Sequence, residues 1–458
     1  MSEEPGGQQT TMDRLAHGDA IPATLLSPGA GRFWLAVLFT GIFTGLGAAA
    51  LTRIVEVVQH FVWGGSGLNI LEVAKTVSPA HHVLALLGAG LVTVFGMIVL
   101  KRVSSANSID VTAAIWFHAG RLPGVRTVGS ALLSVINVGM GAPLGREGAP
   151  KQVGAVFANL FSEKGKLSDE QRKLLVACGA GAGMAAAYGV PLGGALFSIE
   201  VLRGVLALRF VLPALITSIV ATGISWIFLP DAPTYHLPNF SNSYPLMIWA
   251  LVAGIIVGIC SVGYVRAVTW AETHRPTGWV RYATPIISLT LVGIVSIRYP
   301  EILGNGKDIA QLAFDSRVTP LLMLTLVFLK PAATIGSLGS GVPGGLFTPS
   351  LSFGAMLGGV LGYGWAHFLP GSPAGIYALL GAGSFLAATT QGPISAVVLM
   401  MELTGGDRKF ILPLLIAVGV ATLVSRTIEP RSIYDARLTD EEITARMRAR
   451  DQSLPTTG

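Results

Sequence analysis

Apolar residues run in long stretches, divided by short polar joints, from about residue 34 to residue 425. A helix rises 1.5 Å per residue, so about 20 apolar residues cross the hydrocarbon of a bilayer. Segments of that kind fall near 34–58, 83–100, 208–229, 246–268, 282–299, 319–336 and 409–425. Others, at 127–139, 150–161, 174–203, 344–365 and 376–404, are too short or too interrupted by Gly and Pro. Irregular backbone at membrane depth is tolerated only where it lines a cavity or lies buried in protein. The pattern predicts an all-α polytopic membrane protein with broken and re-entrant helices.

An internal repeat sharpens this reading. Gly179-Ala180-Gly181, Pro191 and Glu200 recur as Gly381-Ala382-Gly383, Pro393 and Glu402, every position offset by 202, and Ala185-Ala186 matches Ala387-Ala388 in the same register. Gly145 and Pro150 bracket one turn-like motif, Gly344 and Pro349 another. Two related halves are the expected trace of a duplicated transporter fold. The spacing does not show whether they are inverted, although an inverted arrangement is expected. The division predicted is a disordered cytoplasmic tail at 1–31, a first membrane repeat at 32–230, an inter-repeat loop at 231–245, a second repeat at 246–435 and a cytoplasmic C-terminal tail at 436–458.

Composition changes the picture in one respect: it excludes water as the main solvent. Only 12% of residues are charged, against roughly 25% in soluble domains. The net charge of +6 does not point to nucleic acid, because the basic residues sit at segment ends and in the tails, as cytoplasmic loops require. Cys178 and Cys260 lie in apolar segments, and the eight histidines show no ligand spacing, so neither a disulfide framework nor a metal site is expected. No cofactor is expected either.

Two motifs carry candidate chemistry. Residues 336–351 are too dense in Gly and Pro to continue a helix, so one apolar segment must end there and another begin. A helix that starts at membrane depth leaves its first N–H groups unpaired, with about half a positive charge. An anion placed there satisfies them without a full cation. In Gly145-Arg146-Glu147-Gly148-Ala149-Pro150, an acid stands at the start of a short apolar helix. An intramembrane carboxylate is costly. Ionised, it can occupy the anion's own place; protonated, it withdraws and carries a proton. The plainer alternative pairs Arg146 with Glu147 at the membrane interface. An intramembrane hydrolase built on Ser337 or Ser340 lacks a histidine base nearby, so no enzyme is expected.

Residues 145–150 resemble the Gly-Lys/Arg-Glu-Gly-Pro signature of the CLC family of chloride channels and proton-coupled halide antiporters, short bacterial type. Gly345-Leu346-Phe347-Thr348-Pro349 resembles its Gly-x-Phe-x-Pro signature, and Ser432-Ile433-Tyr434 its C-terminal tyrosine segment. The resemblance runs from about Phe33 to Leu438. It implies that Glu147 is the gating and proton-carrying carboxylate. The amides of Leu346 and Phe347 with the Tyr434 hydroxyl would form a central anion site, and amides around Arg146, Glu147 and Gly148 an outer one. It further implies a homodimer with one pore per subunit in a bacterial inner membrane, both termini cytoplasmic, with halide ions, protons and the lipid bilayer as its partners.

Three departures bear on mechanism. Where the family reads Gly-Ser-Gly-Ile-Pro, this chain has Ala106-Asn107-Ser108-Ile109-Asp110, so that Asn107 or Ser108 would face the ion, unless Asn107 is an ordinary helix cap. Glu200-Val201 replaces a Glu-Glu pair; Val is usual in channels of the family, yet the fluoride-exporting branch also lacks the second acid. Glu200 is then either an internal proton group or a buried acid paired near Arg203. Lys151 enters after Ala149-Pro150; it either enriches anions near the mouth or is an interfacial lysine with its ammonium snorkelling to water, and the second reading is preferred. Chloride or fluoride exchange with protons is the function implied, with a passive anion channel as the alternative.

Overall fold

The computed structural model describes residues 21, 29–64, 69–106, 109–237, 243–369, 371–406, 408–436 and 438–452. Asn107 and Ser108 lie outside the described residues, as does most of the N-terminal tail. The described residues form eighteen α-helices. The first nine are α1 (Ala30–Trp63), α2 (Ile70–Ala74), α3 (Pro79–Val103), α4 (Val111–Phe117), α5 (Gly124–Gly139), α6 (Gly148–Lys164), α7 (Asp169–Tyr188), α8 (Pro191–Phe197) and α9 (Leu208–Ser225). A π-helical turn, Ser198–Leu202, extends α8. The rest are α10 (Tyr244–Thr273), α11 (Val280–Ser296), α12 (Lys307–Phe314), α13 (Pro320–Gly339), α14 (Phe347–Phe368), α15 (Ala374–Thr390), α16 (Pro393–Leu403), α17 (Ile411–Ile428) and α18 (Asp440–Gln452).

Six helices among the described residues are long and apolar enough to span a bilayer. The expected seventh span, at 282–299, is α11, which closes after 17 residues and contains Pro285. Outward faces are apolar: Leu84, Leu91 and Phe95 on α3, and Ile248, Leu251, Ile255 and Ile259 on α10, are exposed, as lipid contact requires.

The centre is built from the Gly/Ala-rich helices α7 and α15, buried from Leu174 and Gly375 to their ends. Helices attract weakly through apolar burial alone in lipid, so close backbone approach decides packing there. A Cβ on Gly154 of α6 would lie 2.0 Å from the Gly179 carbonyl of α7, and one on Gly354 of α14 would lie 2.5 Å from the Gly381 carbonyl of α15. Helix starts follow the prolines: Pro191 opens α8 and Pro393 opens α16, where a missing N–H costs nothing. Helices α5 and α13 end alike, in turns through Gly141 (φ 105°) and Gly341 (φ 100°), a left-handed conformation that favours glycine. The chain then runs back into the protein before α6 and α14 begin.

Candidate functional site

The loops that enter α6 and α14 meet in the interior. Gly145 N–H donates to the Gly345 carbonyl and Gly345 N–H to the Gly145 carbonyl, both at 2.8 Å. This two-residue bridge brings both helix starts to one place, and the Glu147 carboxylate lies between them with the residue 4% exposed. Phe347 N–H donates to Glu147 Oε1 at 2.6 Å and Thr348 N–H at 3.4 Å. Thr348 Oγ1 donates to Oε2 at 3.1 Å and the Tyr188 hydroxyl at 3.3 Å. A carboxylate thus occupies the positive end of α14, where first-turn amides lack helical partners. Space for it depends on missing side chains, since a Cβ on Gly145 would sit 2.0 Å from Glu147 Oε1 and one on Gly345 2.3 Å from the same atom.

The Phe347 amide, expected at the anion site, meets the carboxylate, as does the amide of Thr348, and Leu346 lines the adjoining cavity. Gly148 begins α6 and packs against Gly345. Tyr188 and Thr348 were not expected here. Their hydroxyls are 2.8 Å apart, and Tyr188 comes from the end of α7, where nothing in the spacing marks it. Thr348 did have a signal, being a hydroxyl residue inside a Gly/Pro-rich helix start.

Beside the carboxylate lies a cavity of about 70 Å³ lined by Gly148, Lys151, Gln152, Gly344, Leu346 and Tyr434, among others. Asp110 also borders it and accepts the Thr112 N–H at 2.8 Å. Tyr434 is half-buried on the turn Ile433–Asp435, its ring edge-on to Phe197 at 5.4 Å. That turn is held by a Ser432–Asp435 capping box, and Asp435 pairs with buried Arg446 of α18. Of the two readings of Lys151, the structure favours the one at the mouth: its ammonium lies 4.4 Å from the Tyr434 ring centroid, on the cavity wall. The first turn of α6, through Gly148, Lys151 and Gln152, faces this cavity.

The sequence profile described as "Voltage gated chloride channel" matches residues 88–426. The chain belongs to this family, the CLC channels and transporters. ClcB of Salmonella dublin, a voltage-gated ClC-type chloride channel by name, is 30% identical over 426 residues, covering 88% of this chain and 98% of that one. ClcB of Citrobacter koseri is 34% identical over 314 residues, 66% of this chain and 74% of the relative. Among solved structures, a slow cyanobacterial Cl⁻/H⁺ antiporter superposes with a TM-score of 0.77 at 21% identity, covering 92% of this chain and 99% of that one. A CLC-type fluoride/proton antiporter gives 0.72 at 19% identity, with 91% and 99% covered. At these identities the structures show the fold alone: an all-helical CLC membrane fold. CLC proteins are channels and transporters, so this is not an enzyme.

Within that CLC fold the two acids spaced by 202 residues do the same thing to each other's helices. Glu200 accepts the N–H groups of Ile394 (3.1 Å) and Ser395 (2.6 Å) at the start of α16. Glu402 accepts those of Leu192 (3.0 Å) and Gly193 (2.7 Å) at the start of α8. Each carboxylate supplies acceptors for N–H groups that a helix start leaves unpaired. Arg203 is not the partner of Glu200; it binds Glu170 at 2.6 Å.

Proposed function

We propose that this CLC protein carries a small halide, chloride or fluoride, across a bacterial inner membrane in exchange for protons, with Glu147 as the gate. One observation carries the reading: the Glu147 carboxylate is seated on the Phe347 amide at the start of α14. A carboxylate and a halide each carry one negative charge and accept N–H donors, so they compete for this place. Protonation removes the charge and weakens the contacts. The freed amides then take the ion, and the withdrawn acid carries the proton. The ion continues into the Tyr434 cavity, where Lys151 and the tyrosine hydroxyl receive it. Arg146 lines the opposite mouth, facing outside, and both termini face the cytoplasm. The protein works as a homodimer of two-repeat subunits (32–230 and 246–435).

A passive channel is the second reading, favoured by Val201 and by the engagement of Glu200 with two amides. Proteoliposomes decide. Chloride or fluoride efflux should drive protons against their gradient, and Glu147→Gln should abolish proton movement. Coupled proton flux that persists in that variant sinks the gate assignment; halide flux with no proton movement in the native protein selects the channel. Glu200→Gln and Glu402→Gln should perturb stability alike, whereas loss of coupling in Glu200→Gln alone places Glu200 on the proton path. Running both halides side by side identifies the preferred ion.

A further inference from the structure

A groove of about 370 Å³ lies between α10, α11 and α13, apart from the ion path. Ile287, Leu291, Ile335 and Gly336 form its apolar wall, and Trp270 and His274 stand at its rim. Ile287 and Leu291 are exposed, so the groove opens on a flank that faces lipid. Water finds few partners against such a wall, whereas an acyl chain fits it. The rim marks the level of the headgroups: Trp270 and Trp279 are both exposed there, as aromatic residues are at a membrane–water interface. The joint from His274 to Arg281 contains Arg275 and Arg281 and no acid. Arg275 is bound to Glu272 at 2.8 Å. Arg281 stands one turn before Thr284 of the groove wall, on the same face of α11. Its Nη2 donates to the Tyr282 hydroxyl, but its Nε has no hydrogen-bond partner among the described residues. An apolar groove therefore ends at a guanidinium with a donor to spare. Arg266 of α10 binds Glu429, just past α17, at 2.9 Å, which sets this end on the side of the C-terminal segment.

We propose that the groove binds one anionic phospholipid, with an acyl chain along α13 and the phosphate at Arg281 and His274. Basic pockets between membrane helices suit such headgroups. The chain lies against the contact in which Thr284 Oγ1 donates to the Ser340 carbonyl at 3.3 Å. Ser340 lines the groove, while Leu338 and Pro343, on either side of it in sequence, line the Tyr434 cavity. An occupied groove thus braces the turn that leads to Gly345 and the start of α14, and the lipid raises halide flux. That effect rests on the transport reading above; the binding itself does not.

The test uses the full chain, with phosphatidylglycerol as the probe. Native mass spectrometry in detergent should show a phosphatidylglycerol retained per subunit in preference to phosphatidylcholine. Arg281→Gln should weaken that retention about fivefold, the effect of one basic residue beside an anionic headgroup, and Arg281→Lys should restore it. Gly336→Leu fills the groove and should lose the lipid. A Cβ there meets nothing nearer than Ser288 Oγ at 3.8 Å, so the variant should keep its native melting temperature. In phosphatidylcholine vesicles, added phosphatidylglycerol should speed chloride efflux by the native protein and leave Gly336→Leu unchanged. Equal retention of the two lipids, or retention undiminished in Gly336→Leu, overturns the site. A dimer that dissociates in Gly336→Leu overturns it too, because a second copy of the chain then covers the groove. Efflux stimulated equally in both proteins assigns the effect to vesicle surface charge and overturns the coupling. If the native protein moves no halide in either vesicle, the transport reading falls while the retained lipid still decides the site.

Discussion

Tyr188→Phe separates the gate from the ion. The substitution removes one hydroxyl and keeps the ring, which packs 6.2 Å from Phe347 and lies under the Arg146 guanidinium at 5.0 Å. The Glu147 carboxylate then keeps three of its four donors: the Phe347 amide at 2.6 Å, the Thr348 hydroxyl at 3.1 Å and the Thr348 amide at 3.4 Å. A hydrogen bond to a charged acceptor contributes about 1.5–3 kcal/mol. At 3.3 Å the tyrosine contact is longer than strong O–H···O⁻ bonds, which places it at the lower end of that range. Losing about 1.5 kcal/mol shifts the balance between seated and withdrawn carboxylate roughly tenfold toward withdrawal. Chloride efflux from proteoliposomes at neutral pH, followed with a chloride electrode, should rise by up to that factor. The same substitution in a Glu147→Ala background should change nothing, because no carboxylate remains to hold. Unchanged or slower efflux in the single variant refutes the idea that Tyr188 holds the gate. Equal acceleration in both backgrounds means the hydroxyl acts on the ion, and the double-mutant comparison detects this.

Three further outcomes follow from the same geometry. Gly345→Ala places a Cβ 2.3 Å from Glu147 Oε1, so the carboxylate loses its seat, and halide flux should become as insensitive to pH as in Glu147→Ala. Lys330 is 2% exposed and its Nζ donates to the carbonyls of Ile302, Leu303 and Gly304 at 2.9, 3.1 and 2.9 Å. Lys330→Met strands those acceptors and should cost about 3–5 kcal/mol, read as a lower melting temperature in detergent, with Lys330→Arg much less affected. Arg446→Ala removes the partner of buried Asp435 and the donor to the Val201 carbonyl at 2.8 Å. It should destabilise by about 3–5 kcal/mol and raise the half-saturating chloride concentration by loosening the Tyr434 turn; unchanged values of both would show that α18 does not brace the site.

Hydropathy, segment length and the positions of Gly and Pro determined the class of this protein without help from its structure. They are local properties. An apolar stretch of 20 residues needs lipid or a core wherever it folds, and a Gly/Pro run ends a helix whatever lies beside it. Glu147 and Phe347 stood out for that reason, each at the start of an interrupted segment. Only the tertiary structure decided what surrounds them. Tyr188 and Thr348 reach Glu147 from 41 and 201 positions along the chain, and no periodicity encodes a meeting of that kind. The sequence left Lys151 between the mouth and the interface, because it does not say whether the helix that carries it begins inside the protein or at its surface. The start of α6 is drawn inward by the Gly145–Gly345 bridge. The 202-residue spacing of Glu200 and Glu402 was visible in one dimension, but that each acid caps the other's helix follows from how α8 and α16 are set against each other. Backbone donors at a helix start must find acceptors, and the packing selects which ones they find.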